Sequence, residues 1–281
     1  MRAIPKPQID VAQLVGECVS TIADAQRAFR LQKVAPMITT HSHEYERAAV
    51  AGRLSTLAPA SLQPNSATRD DFEWLYASRF AGVKAVGRPR YDEIMLGAPH
   101  GVCPMCGVGL VRNLDHHLPI SAYPMLAITP DNLVPLCVDC NFNKKAKTPT
   151  CEADRFFHPY FDAVPKGTWL CARVVGDEPL TLHFQAVPPQ TWAADLAERV
   201  RHHFNMLGLG RLYASQSSTE IASMNAFVSG LRRSAGAEGV RKHYEERAQS
   251  ASAVDPNSWR AAMYRALASP QQLLATVQAK S

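Results

Sequence analysis

The sequence predicts an α+β protein that is mostly helical. Three observations carry this. Apolar residues recur at helical spacing near both ends, as in Val11, Leu14, Val15, Cys18 and Ile22. Residues 169–175 and 180–187 are two β-rich runs separated by Gly176-Asp177-Glu178-Pro179, the pattern of a β-hairpin. Ahead of the hairpin lies a central segment bracketed by two Cys-x-x-Cys pairs, Cys103/Cys106 and Cys137/Cys140.

The elements follow in order. Past the first helix, a second is expected to begin after Thr39, Thr40, His41 and Ser42 and to run over 44–54. Residues 58–67 contain Pro59, Pro64, Asn65 and Ser66 and read as a linker. Thr68 and Asp71 stand at N-cap and capping-box spacing, and Phe72, Leu75, Tyr76 and Phe80 supply an apolar face. Residues 91–96 form a short helical or extended piece. After the hairpin, Pro188-Pro189 breaks the pattern, and a helical text resumes, interrupted near 208–210, 230–239 and 250–256. The expected division is a helical N-terminal region (1–97), a zinc-braced module with its hairpin (98–189) and a helical C-terminal region (190–281).

Composition narrows the class. The chain has 281 residues, 46% hydrophobic and 20% charged, which is ordinary for a packed protein and not for a disordered one. A net charge of +5 suits a polyanionic partner without requiring one. No apolar run approaches the roughly 18–20 residues that span a bilayer, so no membrane partner is expected. Residues 1–10 lack the apolar core of a secretory signal. The expected compartment is the cytoplasm, where thiols stay reduced.

In that setting paired cysteines read as metal ligands before disulfides. Each Cys-x-x-Cys turn presents two thiolates to one ion, and two turns close a tetrahedron. With no coordination position left for water or substrate, such a zinc is structural. Two unrelated core or redox pairs are the bland alternative. Cys18, Cys151 and Cys171 stand alone and read as small buried apolar side chains.

Between the pairs lie Leu114-Asp115-His116-His117-Leu118-Pro119 and Asp131-Asn132-Leu133, and Asn141 follows Cys140 directly. Hydrolysing a phosphodiester requires an activated water and neutralisation of charge on the phosphate and the leaving oxygen. A neutral imidazole takes the proton, and a hard cation prefers carboxylate and amide oxygens. Asp115, His116 and Asn141 are therefore the right residue types for a one-metal nuclease.

At this point the sequence resembles the HNH endonuclease family. The matching text is Asp115-His116-x-x-Pro119, Asn132-Leu133 and Cys137-x-x-Cys140-Asn141-x-x-Lys144. The resemblance implies a central ββα-metal module, two antiparallel strands and a helix around one ion, in roughly the middle sixth of the chain. It implies that His116 is the general base, that Asp115 and Asn141 are metal ligands and that Asn132 pins the long loop between the strands. It also implies that the four cysteines form a zinc knuckle. In nuclease colicins of this family the base stands three residues before a proline, so the resemblance implies His116 rather than His117 as base. An all-oxygen pair, Asp115 and Asn141, favours Mg2+ or Mn2+ over zinc at the catalytic position.

His117, Lys144 and Lys145 are the expected substrate contacts, each weighed against a plainer role. For His117 packing or orientation is favoured over contact. For the lysines a solvated face and phosphate neutralisation stand about level. His41-Ser42-His43-Glu44 reads as a helix start with exposed imidazoles, and His158-Pro159-Tyr160 as a packing turn. DNA is the expected nucleic-acid partner, with RNA open. By analogy with bacterial defence and toxin effectors, an ATPase or sensor is an expected regulatory partner. The competing reading is a non-catalytic zinc module that docks nucleic acid or protein.

Overall fold

A computed structural model describes residues 1–59, 67–163, 167–177 and 180–269. The chain is mostly helical with two small antiparallel β-sheets, so it is α+β. It divides into two compact units, residues 1–164 and 165–281. The expected division has three parts, with boundaries at 97/98 and 189/190. The N-terminal helices share a unit with the cysteine-bracketed segment, and the hairpin shares a unit with the C-terminal helices.

In the first unit, α1 (Val11–Ser20) starts on Asp10, whose carboxylate accepts from Ala12 and Gln13 N–H groups. Helix α2 (Ala25–Val50) does not begin near residue 44. It starts on Asp24 and runs through Pro36. The Thr39, Thr40 and Ser42 hydroxyls, read from sequence as a start signal, donate to carbonyls one turn back, Ala35, Pro36 and Ile38. These residues thus satisfy their hydroxyls inside a helix as readily as at its cap. His41 and His43 accordingly lie within α2. The expected linker falls largely on residues outside those described. The Thr68–Asp71 capping box is present and opens α3 (Arg69–Trp74), which continues as a wider π-turn over Leu75–Phe80. Residues 91–96 belong to α4 (Arg88–Leu96).

Strand β1 (Asn113–His116) pairs antiparallel with β2 (Leu133–Leu136), and α5 (Val138–Lys144) follows at once. The order β1, long loop, β2, α5 is a ββα arrangement. Leu114, Ile128 and Leu133 lie in one apolar core with Val11, Leu14, Leu31, Ile38, Phe72, Leu75, Phe80 and Ile94. The N-terminal helices therefore supply the apolar wall that so short a ββα segment cannot build for itself. The N-terminal residues complete the unit. The Arg2 N–H donates to the Pro104 carbonyl at 2.8 Å and the Ile4 N–H to the Pro159 carbonyl at 3.0 Å. Lys6 pairs with Glu46 and Asp131.

In the second unit, β3 (Leu170–Asp177) pairs antiparallel with β4 (Leu180–Ala186), with an irregularity between Val174 and Gly176. Helices α6 (Ala194–Met206), α7 (Leu209–Val254) and α8 (Trp259–Leu267) complete it. Two expected breaks are real and rest on glycine: Gly208 and Gly236 have φ of 66° and 68°, conformations costly for other residues. The Asn257 side chain accepts from the N–H groups of Trp169 and Leu170 and donates to Gly167, fixing the start of β3. No helix among the described residues is long and apolar enough to cross a membrane.

Candidate metal and catalytic site

The four cysteines of the two Cys-x-x-Cys pairs are buried, and their sulfurs all lie within 4.8 Å of one another. Zinc–thiolate bonds of about 2.3 Å in a tetrahedron place sulfurs about 3.8 Å apart. The Cys106 and Cys137 sulfurs are 3.8 Å apart. The donor set fits one structural zinc. The Gly109 N–H donates to the Cys106 sulfur at 3.3 Å, a contact that favours its thiolate form.

Local backbone chemistry makes this cluster. The Cys103 N–H donates to the Gly109 carbonyl, and the Gly107 N–H to the Cys103 carbonyl, each at 2.8 Å. Gly107 has φ of 68°. At Gly109 a Cβ would lie 2.7 Å from the Cys137 Cβ and 2.8 Å from its sulfur. The second pair caps a helix: the Cys137 sulfur accepts from the Cys140 N–H at the start of α5. The same thiolates that would hold zinc thus orient the helix carrying Asn141. Of the lone cysteines, Cys18 is buried as expected, Cys151 is exposed and Cys171 is half-buried.

At the end of β1 the Asp115 carboxylate and the His116 carbonyl meet α5 through one side chain. The Lys144 ammonium lies 2.9 Å from Asp115 Oδ2 and donates to the His116 carbonyl at 2.8 Å. Lys144 is 1% exposed. Lys144 was expected to face the substrate. It is instead a buried tether, its ammonium reaching both the Asp115 carboxylate and the His116 carbonyl. Lys145, with φ of 56° at the end of α5, is exposed. Asn141 is half-buried one turn before Lys144, on the same side of the helix. Burial and the Lys144 charge act oppositely on Asp115: burial raises its carboxyl above the usual value and Lys144 lowers it, with burial the larger effect.

The His116 ring packs at 4.6 Å against Tyr76, and its Nε2 lies 2.8 Å from the Ala127 carbonyl. A carbonyl only accepts, so Nε2 carries the proton and Nδ1 keeps its lone pair. Burial pushes the imidazole down to about 4, so it is neutral at neutral pH. His117 is buried, its ring 4.2 Å from that of His158. His158 is itself buried, with Nε2 2.8 Å from the Tyr45 hydroxyl and 3.0 Å from the Asp131 carbonyl. The expected packing turn is therefore a hub of the loop's underside.

Asn132 is fully buried. Its Oδ1 accepts from the Leu118 N–H at 2.7 Å and its Nδ2 donates to the Leu118 carbonyl at 3.0 Å. The His117 N–H donates to the Asn132 carbonyl at 2.7 Å. One residue thus closes the base of the loop between β1 and β2. Sequence reasoning missed Tyr76, Ala127 and Gly109. Only the Gly109 role had any sequence signal, a second glycine three residues after Cys106.

No family model matches the chain, and no solved structure matches it. The chain is similar to Protein ea31 of Escherichia phage lambda, at 26% identity over 291 residues, covering 96% of this chain and 98% of that protein.

Proposed function

We propose that this protein is a metal-dependent HNH-type endonuclease acting on nucleic acid, with DNA as the favoured substrate. The observation that carries the reading is the commitment of His116 Nε2 to the Ala127 carbonyl, which leaves Nδ1 as a neutral base. It does so at the end of β1, in a ββα segment that also carries Asp115 and Asn141.

In this reading His116 Nδ1 takes the proton of the attacking water, and the Ala127 carbonyl stabilises the resulting imidazolium. Asp115 and Asn141 offer a carboxylate and an amide oxygen, the donor types a hard cation takes. A bound Mg2+ or Mn2+ would supply charge neutralisation at the phosphate and the departing oxygen. The exposed Lys145 would neutralise backbone phosphate beside the site. Asn132 would hold the loop that presents His116 and Ala127 to each other.

A second reading has an observation of its own. The Asp115–Lys144 ion pair already gives the carboxylate a structural partner, as a non-catalytic zinc module would need. One experiment separates the two. Purified protein is incubated with plasmid DNA and with RNA, with and without Mg2+ or Mn2+, beside His116→Ala. The nuclease reading expects metal-dependent cleavage by the wild type and none by the variant, with zinc content equal. Cleavage by His116→Ala at the wild-type rate, or no cleavage under any condition, would overturn it.

A further inference from the structure

We propose that Lys144 makes the hard-cation site at Asp115 depend on substrate, so that the cation settles there only together with a nucleic-acid phosphate. The inference rests on the nuclease reading above and concerns how that site is loaded.

The argument is one of charge. The candidate ligands are one carboxylate, Asp115, and one neutral amide, Asn141. Lys144 brings a full positive charge to 2.9 Å from the carboxylate. Its ammonium cannot easily move away, because it is 1% exposed and also donates to the His116 carbonyl. Withdrawing it would leave a buried carboxylate and a buried carbonyl without their partner.

Acidic groups on the β1–β2 loop, on α5 and just after it are already engaged or face water. Asp131 pairs with Lys6, Asp154 accepts from Thr150, and Asp139 is exposed in the first turn of α5. The protein's share of the site is therefore close to neutral. A divalent cation there lacks the negative charge that normally holds it, and magnesium sites commonly take part of that charge from substrate phosphates. A phosphodiester oxygen supplies it. By linkage, the cation and the nucleic acid must then raise each other's affinity by the same factor.

The test is Mn2+ binding to the full-length protein, read by electron paramagnetic resonance. The His116→Ala background keeps a short DNA duplex uncut. Signal that survives Asp115→Asn is subtracted as nonspecific. The Asp115-dependent Mn2+ site is expected to be at least about tenfold tighter with the duplex than without it, within the usual range of coupling between two sites. Lys144→Met is expected to bind Mn2+ without DNA about tenfold more tightly than its parent, and Lys144→Arg, which keeps the charge, to match the parent. Equal Mn2+ affinity with and without duplex overturns the proposal, as does a Lys144→Met protein with no gain. If Lys144→Met fails to fold by circular dichroism and zinc content, the comparison with and without duplex decides alone. Tight Mn2+ binding at Asp115 in the absence of DNA sinks this inference and leaves the nuclease reading standing. No Asp115-dependent site in any arm sinks both.

Discussion

The side-chain amide of Asn132 clasps the backbone of Leu118, accepting from its N–H and donating to its carbonyl. Both partners are fully buried. Water cannot replace either bond, so the clasp decides how the loop between β1 and β2 closes. Asn132→Ala is expected to cost about 2–4 kcal/mol, the penalty of leaving two buried backbone groups unpaired. Asn132→Asp keeps the acceptor but sets a buried carboxylate oxygen against the Leu118 carbonyl, and is expected to cost at least as much as Asn132→Ala at neutral pH. Urea unfolding checks both, and unchanged midpoints would remove the clasp from the stability of the loop.

His116 is held low, at about 4, by burial, partly offset by its bond to Ala127. As a base it is competent whenever it is neutral. The acid limb of kcat/KM should therefore fall below about pH 5, not near the ordinary histidine value of about 6.5. His116→Ala should lower the rate by at least about 10²–10⁴, leaving no detectable cleavage in the plasmid assay. A pH–rate profile, with the protein's fold followed in parallel, measures this.

Zinc removal should be felt at α5 before anywhere else, since Cys137 caps that helix and would also be one of the four metal ligands. Cys103→Ser and Cys140→Ser are expected to lose zinc and lower the unfolding temperature of the first unit. Metal analysis with thermal melts gives the answer. A variant that loses zinc yet melts like the parent would assign the ion no structural role.

Gly109→Ala is expected to weaken zinc binding although residue 109 supplies no ligand atom itself, because its Cβ would crowd the Cys137 sulfur at 2.8 Å. The new Cβ would stand 2.7 Å from the Cys137 Cβ, inside any real contact distance. Competition against a chelator reads the loss. Gly107→Ala, with nothing nearer than the Arg2 side chain, meets chiefly the backbone cost of about 1–2 kcal/mol for a left-handed residue.

Asp71 is an acid-sensitive point of the first unit. Arg30, the Thr68 N–H and Arg27 hold its carboxyl well below the usual carboxylate range, with burial opposing them. Because the folded value is depressed, its contribution is complete above the unfolded value of about 4 and is withdrawn as pH falls below it. Asp71→Asn should cost about 2 kcal/mol at neutral pH. The gap between variant and parent should shrink below pH 4. Unfolding at a series of pH values tests the sign, and a gap that widened in acid would contradict it.

Local chemistry was legible in the sequence wherever neighbours along the chain decide the outcome. The spacing of Cys103/Cys106 and Cys137/Cys140 announced one metal cluster, Thr68 and Asp71 announced a cap, and Gly208 and Gly236 announced breaks. The α+β class and the hairpin were readable for the same reason. What the tertiary structure alone decided involves partners far apart in sequence. Pro36 sits inside α2 because that helix packs along its length against the core, which overrides a local break. The N-terminal helices join the ββα segment because a four-residue strand pair has too little apolar surface to bury by itself. Lys144 turned inward because Asp115 and the His116 carbonyl, nearly thirty residues earlier, offer its ammonium two acceptors. A lysine cluster looks the same in sequence whether it faces water or an ion pair. Only the fold brings the opposing charge within reach.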